Sequence, residues 1–151
     1  MSTIESDSPG FTVLLVEDEA ADAYLVREAF RENHILVDLH HVGDGQAAME
    51  FLQRDPPHGN APRPDLILLD LNMPRMDGRR FLAEIKKNPA LATIPVVVLT
   101  TSDVERDMVS TYRLGATGYI VKPIDVNQFI GTIKVLEDYW FKIVRLPPSP
   151  G

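Results

Sequence analysis

Five apolar runs of strand length alternate along this chain with segments of helical period, and that rhythm leaves few folds open. The strand candidates are Thr12–Glu17, Ile35–Val42, Asp65–Asp70, Ile94–Thr100 and Thr117–Val121. Helical spacing predicts helices over Glu19–Glu32, Gln46–Arg54, Arg79–Lys87, Glu105–Leu114 and Val126–Val144. Strand followed by helix, repeated, is the pattern of a parallel sheet, because a parallel connection needs a crossover long enough to hold a helix. Continuous apolar runs mark strands covered on both faces, and DLILLD (65–70) and IPVVVLT (94–100) read as such central strands. The predicted class is α/β, a doubly wound sheet of five parallel strands.

Punctuation agrees with this division. Gly43-Asp44-Gly45 opens the second helix, Asn88-Pro89 closes the third, and Gly115 stands where a C-terminal cap of the fourth would be. Residues 55–64, DPPHGNAPRP, hold four prolines in ten and can form neither a helix nor a central strand, so they are expected as a surface loop. The 151 residues suffice for one core, placed here at residues 11–144. Residues 1–10 read as a disordered lead-in and 145–151 as an extended Pro-rich tail.

Composition narrows the function. A net charge of −7 repels polyphosphate backbones and argues against direct nucleic-acid binding. The absence of cysteine excludes disulfides, thiolate metal sites and cysteine nucleophiles, and suits a reducing compartment. The opening MSTIESDSPG is neither signal peptide nor membrane span, so a cytoplasmic address is expected.

Ligands of open parallel sheets bind beyond the carboxyl ends of the strands, and the polar residues of this chain gather there. Glu17 and Asp18 close the first strand, Asp70 the third and Thr100 the fourth, and Lys122 follows the fifth. Three carboxylates brought together raise one another's pKa unless a cation keeps them ionised. Mg²⁺ is the expected one: it prefers oxygen ligands and is commonly held by one or two carboxylates together with substrate phosphate. Zinc fits poorly without cysteine or paired histidines.

The stretches LLVEDE, LLDLNMPRMDG, VVVLTTS and GYIVKP, in this order over about Phe11–Asp125, resemble the receiver domains of two-component response regulators, the CheY-like superfamily. The resemblance implies a flavodoxin-like strand order 2-1-3-4-5, with Asp70 as phosphoacceptor and a sensor histidine kinase as donor. It implies Mg²⁺ held by the carboxylates of Asp18 and Asp70 and the backbone carbonyl of Asn72, with Glu17 acting through water. Lys122 would pair with phosphoryl oxygens, Thr100 would give its hydroxyl to one of them, and Tyr119 would turn inward as Thr100 is drawn to the phosphate. The loop before the third strand, the run VVVLTTS and the final EDYWF-like segment are similar to small response regulators paired with phytochrome-type sensor kinases.

Plainer readings stand beside these. Asp18 or Asp77 can serve only as an N-cap of the following helix. Met73-Pro74 and Asp77-Gly78 are ordinary loop and turn formers, and Lys122-Pro123 can simply end a strand. Tyr119 is equally a half-buried strand aromatic. His34, His40, His41 and His58 have no metal-ligand spacing, and His40 and His41, adjacent on a strand, should face opposite sides as ordinary edge-strand residues. A phosphatase of the haloacid dehalogenase type also uses a strand-end aspartate, Mg²⁺ and lysine, but its second aspartate, the general acid, is replaced here by Asn72. A pseudo-receiver acting only as a binding module lacks the acceptor, the metal pair or the lysine, and this chain has all three.

The last predicted helix has more apolar surface than a lone receiver requires. At 1.5 Å per residue Val126–Val144 would be about 28 Å long, against about 17–20 Å for a short strand, so it should overhang the sheet. Phe129, Ile133 and Leu136 can cover the core, but Tyr139, Trp140, Phe141, Ile143 and Val144 crowd the last turns and mark a partner surface. The resemblance points to a homodimer through this region, with docking to the kinase or an output protein as the rival use.

Overall fold

The computed structural model describes residues 11–54, 59–71, 78–100, 115–122 and 124–139. The helix expected over Glu105–Leu114, the lead-in, the tail, Asn72 and Trp140–Val144 lie outside these residues. The strands are β1 (Phe11–Val16), β2 (Val37–Val42), β3 (Leu66–Asp70), β4 (Val96–Thr100) and β5 (Gly118–Val121). Four helices are described: α1 (Ala20–Glu32), α2 (Gly45–Gln53), α3 (Gly78–Lys86) and α4 (Val126–Tyr139). All strand pairs are parallel, in the order β2-β1-β3-β4-β5.

Alternation along the strands divides the core in two, since successive side chains leave a strand on opposite faces. Leu14, Val16, Ile67, Leu69, Val96 and Val98 join Ala48 and Phe51 of α2 and Phe81, Leu82 and Ile85 of α3. Val13, Leu15, Leu66, Leu68, Val97 and Leu99 join Ala23, Val26 and Phe30 of α1 and Phe129, Ile130 and Ile133 of α4. The rings of Phe30 and Phe129 meet edge to face, 5.5 Å apart, and lock α1 to α4. Every residue of β3 is buried, as expected of a central strand.

β2 is the edge strand and half exposed, and it begins two residues later than the apolar pattern suggests. The cause is the turn closing α1: His34 takes a left-handed backbone (φ +56°), and the Ile35 amide donates back to the Phe30 carbonyl at 3.0 Å. Ile35 is thereby tucked beneath the helix end, while Leu36 is 69% exposed. α2 starts at an N-cap, Asp44, whose carboxylate accepts the Ala47 amide at 2.8 Å. At α1 the N-cap position falls on Glu19, not on Asp18.

α3 is set against the end of β3 by a glycine. The Gly78 amide donates to the Leu71 carbonyl at 3.0 Å, and a Cβ at position 78 would lie 2.5 Å from the Asp70 carbonyl oxygen. Only a residue without a side chain allows this approach.

Candidate functional site

Parallel register brings four strand ends to one edge of the sheet. Asp70 pairs with Leu99 and Thr100 with Val121, so Lys122, one residue past β5, stands beyond the same edge as Asp70. Glu17 follows β1 there, and its amide donates to the Val42 carbonyl. Tyr119 pairs with Val98 in β5 and packs, partly buried, against the α2 and α3 side of the core. His40 and His41 lie on β2; the His40 ring leans on Phe51, and His41 Nε2 sits 2.7 Å from the Glu17 carbonyl oxygen.

At the centre is the Lys122 ammonium, whose side chain is only 7% exposed. It lies 2.8 Å from Glu17 Oε1, 3.0 Å from Asp22 Oδ2 and 3.6 Å from Asp70 Oδ2. It donates to Glu17 Oε2 at 3.0 Å, an oxygen that also accepts the Glu19 amide. Burial works against the charge of Lys122, but its bonds to Glu17 and Asp22 and the charges of Glu17 and Asp70 outweigh that, holding its pKa above the ordinary lysine value. The ammonium is thus a fixed positive charge.

One cation does not balance this site. Glu17 and Asp70 are buried, Asp22 is partly so, and Asp18 stands exposed beside them. Carboxylate oxygens of Glu17, Asp18 and Asp70 lie within 4.8 Å of one another. The fully buried Glu17 Oε1 is paired by charge with the Lys122 ammonium at 2.8 Å, but among the described residues it accepts no directed hydrogen bond. A buried acceptor left in that state is costly. An all-oxygen, carboxylate-rich donor set with an unsatisfied buried oxygen is what a hard divalent cation takes, and these residues fit one.

Of the residues expected from sequence, the structure brings Glu17, Asp18, Asp70 and Lys122 together and places Thr100 at the end of β4 on the same edge. Asn72 and Trp140–Val144 fall outside the described residues, and Tyr139 is the last residue of α4. Two participants were not anticipated, Asp22 and Gly78. An acidic residue in the first turn of a helix is ordinarily accounted for by the helix dipole, and a glycine beside a turn by the turn itself, so neither carried a distinguishing signal.

The family model of the response regulator receiver domain, a class of signalling proteins, matches residues 13–134, and the five-stranded parallel sheet with an acidic cluster and a buried lysine at its carboxyl edge agrees with it. The chain belongs to the response regulator receiver family. Response regulator Rcp1 of Synechocystis sp. is 45% identical over 145 residues, which cover 96% of this chain and 99% of Rcp1. Among solved structures, the phosphorylated cyanobacterial phytochrome response regulator RcpA superposes with a TM-score of 0.77 at 42% identity, covering 92% of this chain and 99% of RcpA. The Mn²⁺-bound form of Rcp1 gives a TM-score of 0.75 at 46% identity, covering 91% and 99%. Among the described residues no helix is long and apolar enough to cross a membrane.

Proposed function

We infer that Asp70 is the phosphoacceptor of a single-domain response regulator, charged by a phosphohistidine on a sensor histidine kinase of phytochrome type in the cytoplasm. The observation that carries this is the convergence of Lys122 with Glu17 and Asp70 at the carboxyl edge of the sheet. An Asp70 carboxylate oxygen attacks the phosphorus as the P–N bond to the kinase imidazole breaks; the electron pair leaves with the ring nitrogen, which takes a proton from solvent. The product is an acyl phosphate. Water later attacks its phosphorus, the P–O bond to Asp70 breaks, and the carboxylate returns, so the signal is timed.

Mg²⁺ would be held by Asp18, Asp70 and the backbone carbonyl of Asn72, with Glu17 acting through water, and when bound would neutralise phosphoryl oxygens. Lys122 brings its ammonium to another of these oxygens, and Thr100 brings its hydroxyl to a third. A loose phosphoryl-transfer transition state demands mainly such alignment and charge. Tyr119, next to β4, follows Thr100 inward and passes the change on. The chain catalyses only its own phosphorylation and dephosphorylation. Resemblance to the phytochrome-linked regulators supports a homodimer through the end of the last helix, with Tyr139, Trp140, Phe141, Ile143 and Val144 at the contact.

Incubation with Mg²⁺ and acetyl phosphate or phosphoramidate, followed by intact mass, tests the assignment. One acid-stable, base-labile phosphoryl group is expected on the wild type and none on Asp70→Asn. Full labelling of Asp70→Asn would remove Asp70 from the role.

A further inference from the structure

Lys122 is a shared donor, and its partners do not hold it equally. Glu17 and Asp22 both take a hydrogen bond from its ammonium, whereas Asp70 Oδ2, at 3.6 Å, lies beyond hydrogen-bond reach. Glu17 is fully buried and also bound to the Glu19 amide, so losing Lys122 would strand a charge in the interior. Asp22 sits in the first turn of α1 with its side chain 22% exposed, and water can take the place of the ammonium there.

We propose that Asp22 is a positioning residue acting through Lys122: it holds the ammonium back from Asp70 in the resting protein and releases it when a phosphoryl group arrives on Asp70. This rests on Asp70 being the phosphoacceptor. A phosphoryl group carries close to two negative charges where the carboxylate carried one, so it draws Lys122 harder than Asp70 alone. Asp22, being the solvated partner, is the one that lets go. The exchange has two consequences. Asp22 opposes the phosphorylated state, because it competes with the incoming phosphoryl oxygens for the Lys122 ammonium, which it already shares with Glu17. The first turn of α1 loses its tie to the end of β5 as that happens, which carries the change to the face of the sheet opposite Tyr119.

Beryllium trifluoride, titrated into the full chain with Mg²⁺ present and followed by fluorine NMR, reads formation of the phosphoryl-like state without turnover. Asp22→Asn and Asp22→Ala are expected to bind it about tenfold more tightly, the scale of one hydrogen bond to a charged group. Asp22→Glu, which keeps the charge, is expected to return toward the wild type. Amide exchange in the first turn of α1 should quicken on binding in the wild type and be fast beforehand in Asp22→Ala. Loss of a merely structural contact would weaken binding instead, so unchanged or weaker binding in both Asn and Ala variants overturns the proposal. A wild type that takes up neither beryllium trifluoride nor a phosphoryl group removes the phosphoacceptor reading itself; a wild type that takes both, with variants that match it, removes only the role of Asp22.

Discussion

Replacing Gly78 with alanine would put a methyl group where the backbone at the end of β3 already runs. The new Cβ would meet the Asp70 carbonyl oxygen at 2.5 Å and Leu71 Cα at 2.6 Å, both backbone atoms without a rotamer to yield. Relief needs a shift of roughly 0.9 Å, from 2.5 Å to ordinary contact at 3.4 Å, either of α3 or of the end of β3. Overpacking of this kind costs about 1–3 kcal/mol, and alanine's helical preference, at most about 1 kcal/mol, offsets only part of it. A net loss of about 1–2 kcal/mol lowers the melting temperature of a chain this long by about 2–8 °C. The shift also turns Asp70 relative to Lys122, and displacements near 1 Å can slow a positioned reaction by about a hundredfold. Thermal melting by circular dichroism and initial labelling by acetyl phosphate measure the two effects separately. Gly131→Ala is the control: it lies in α4 with nothing within 4 Å of the new Cβ, and should stabilise by about 0.5–1 kcal/mol. A Gly78→Ala protein that melts and labels like the wild type would refute the close-approach argument.

Phe129 is fully buried against Phe30, so Phe129→Ala should cost about 3–5 kcal/mol by denaturant titration; a loss below about 1 kcal/mol would mean that α4 does not seal the core. Asp18→Ala should abolish labelling through lost Mg²⁺ affinity, and an unchanged metal titration counts against its place in the site. Lys86 is held below its ordinary pKa by burial, so between its folded pKa and about 10.4 the unfolded chain holds more of that proton, and the group's contribution to stability rises with pH. Stability of the wild type relative to Lys86→Met should therefore climb over that interval, and a flat difference across it contradicts the sign. Truncation after Glu137, or Trp140→Ala with Phe141→Ala, should shift a dimer toward monomer while leaving Asp70 able to accept phosphate; sedimentation of the intact chain as a strict monomer at every concentration, phosphorylated or not, would leave docking as the use of that segment.

The fold was legible because a parallel sheet buries whole strands. DLILLD and IPVVVLT announce β3 and β4 by unbroken apolarity, and the polar residues that interrupt the pattern at strand ends are the site. Boundaries were less so. Ile35 and Leu36 extend the apolar run of β2, yet a left-handed His34 spends them on closing α1, which depends on a backbone angle, not on hydrophobicity. Asp22 escaped notice because its meaning comes from a lysine at the far end of the chain, and Gly78 because close backbone approach leaves no trace in periodicity.

Glu17 and Lys122 are 105 residues apart in sequence, and their bond is therefore among the last the growing chain can make. Until β5 docks beside β4, Glu17 is a carboxylate beside other carboxylates, with no ammonium to hold it in the interior. Contacts of such long sequence separation form late, since loop closure must precede them. The cation of the site is in this way withheld from incomplete molecules: a nascent or clipped chain ending before Lys122 keeps Glu17 and Asp70 but lacks the ammonium that pairs with them.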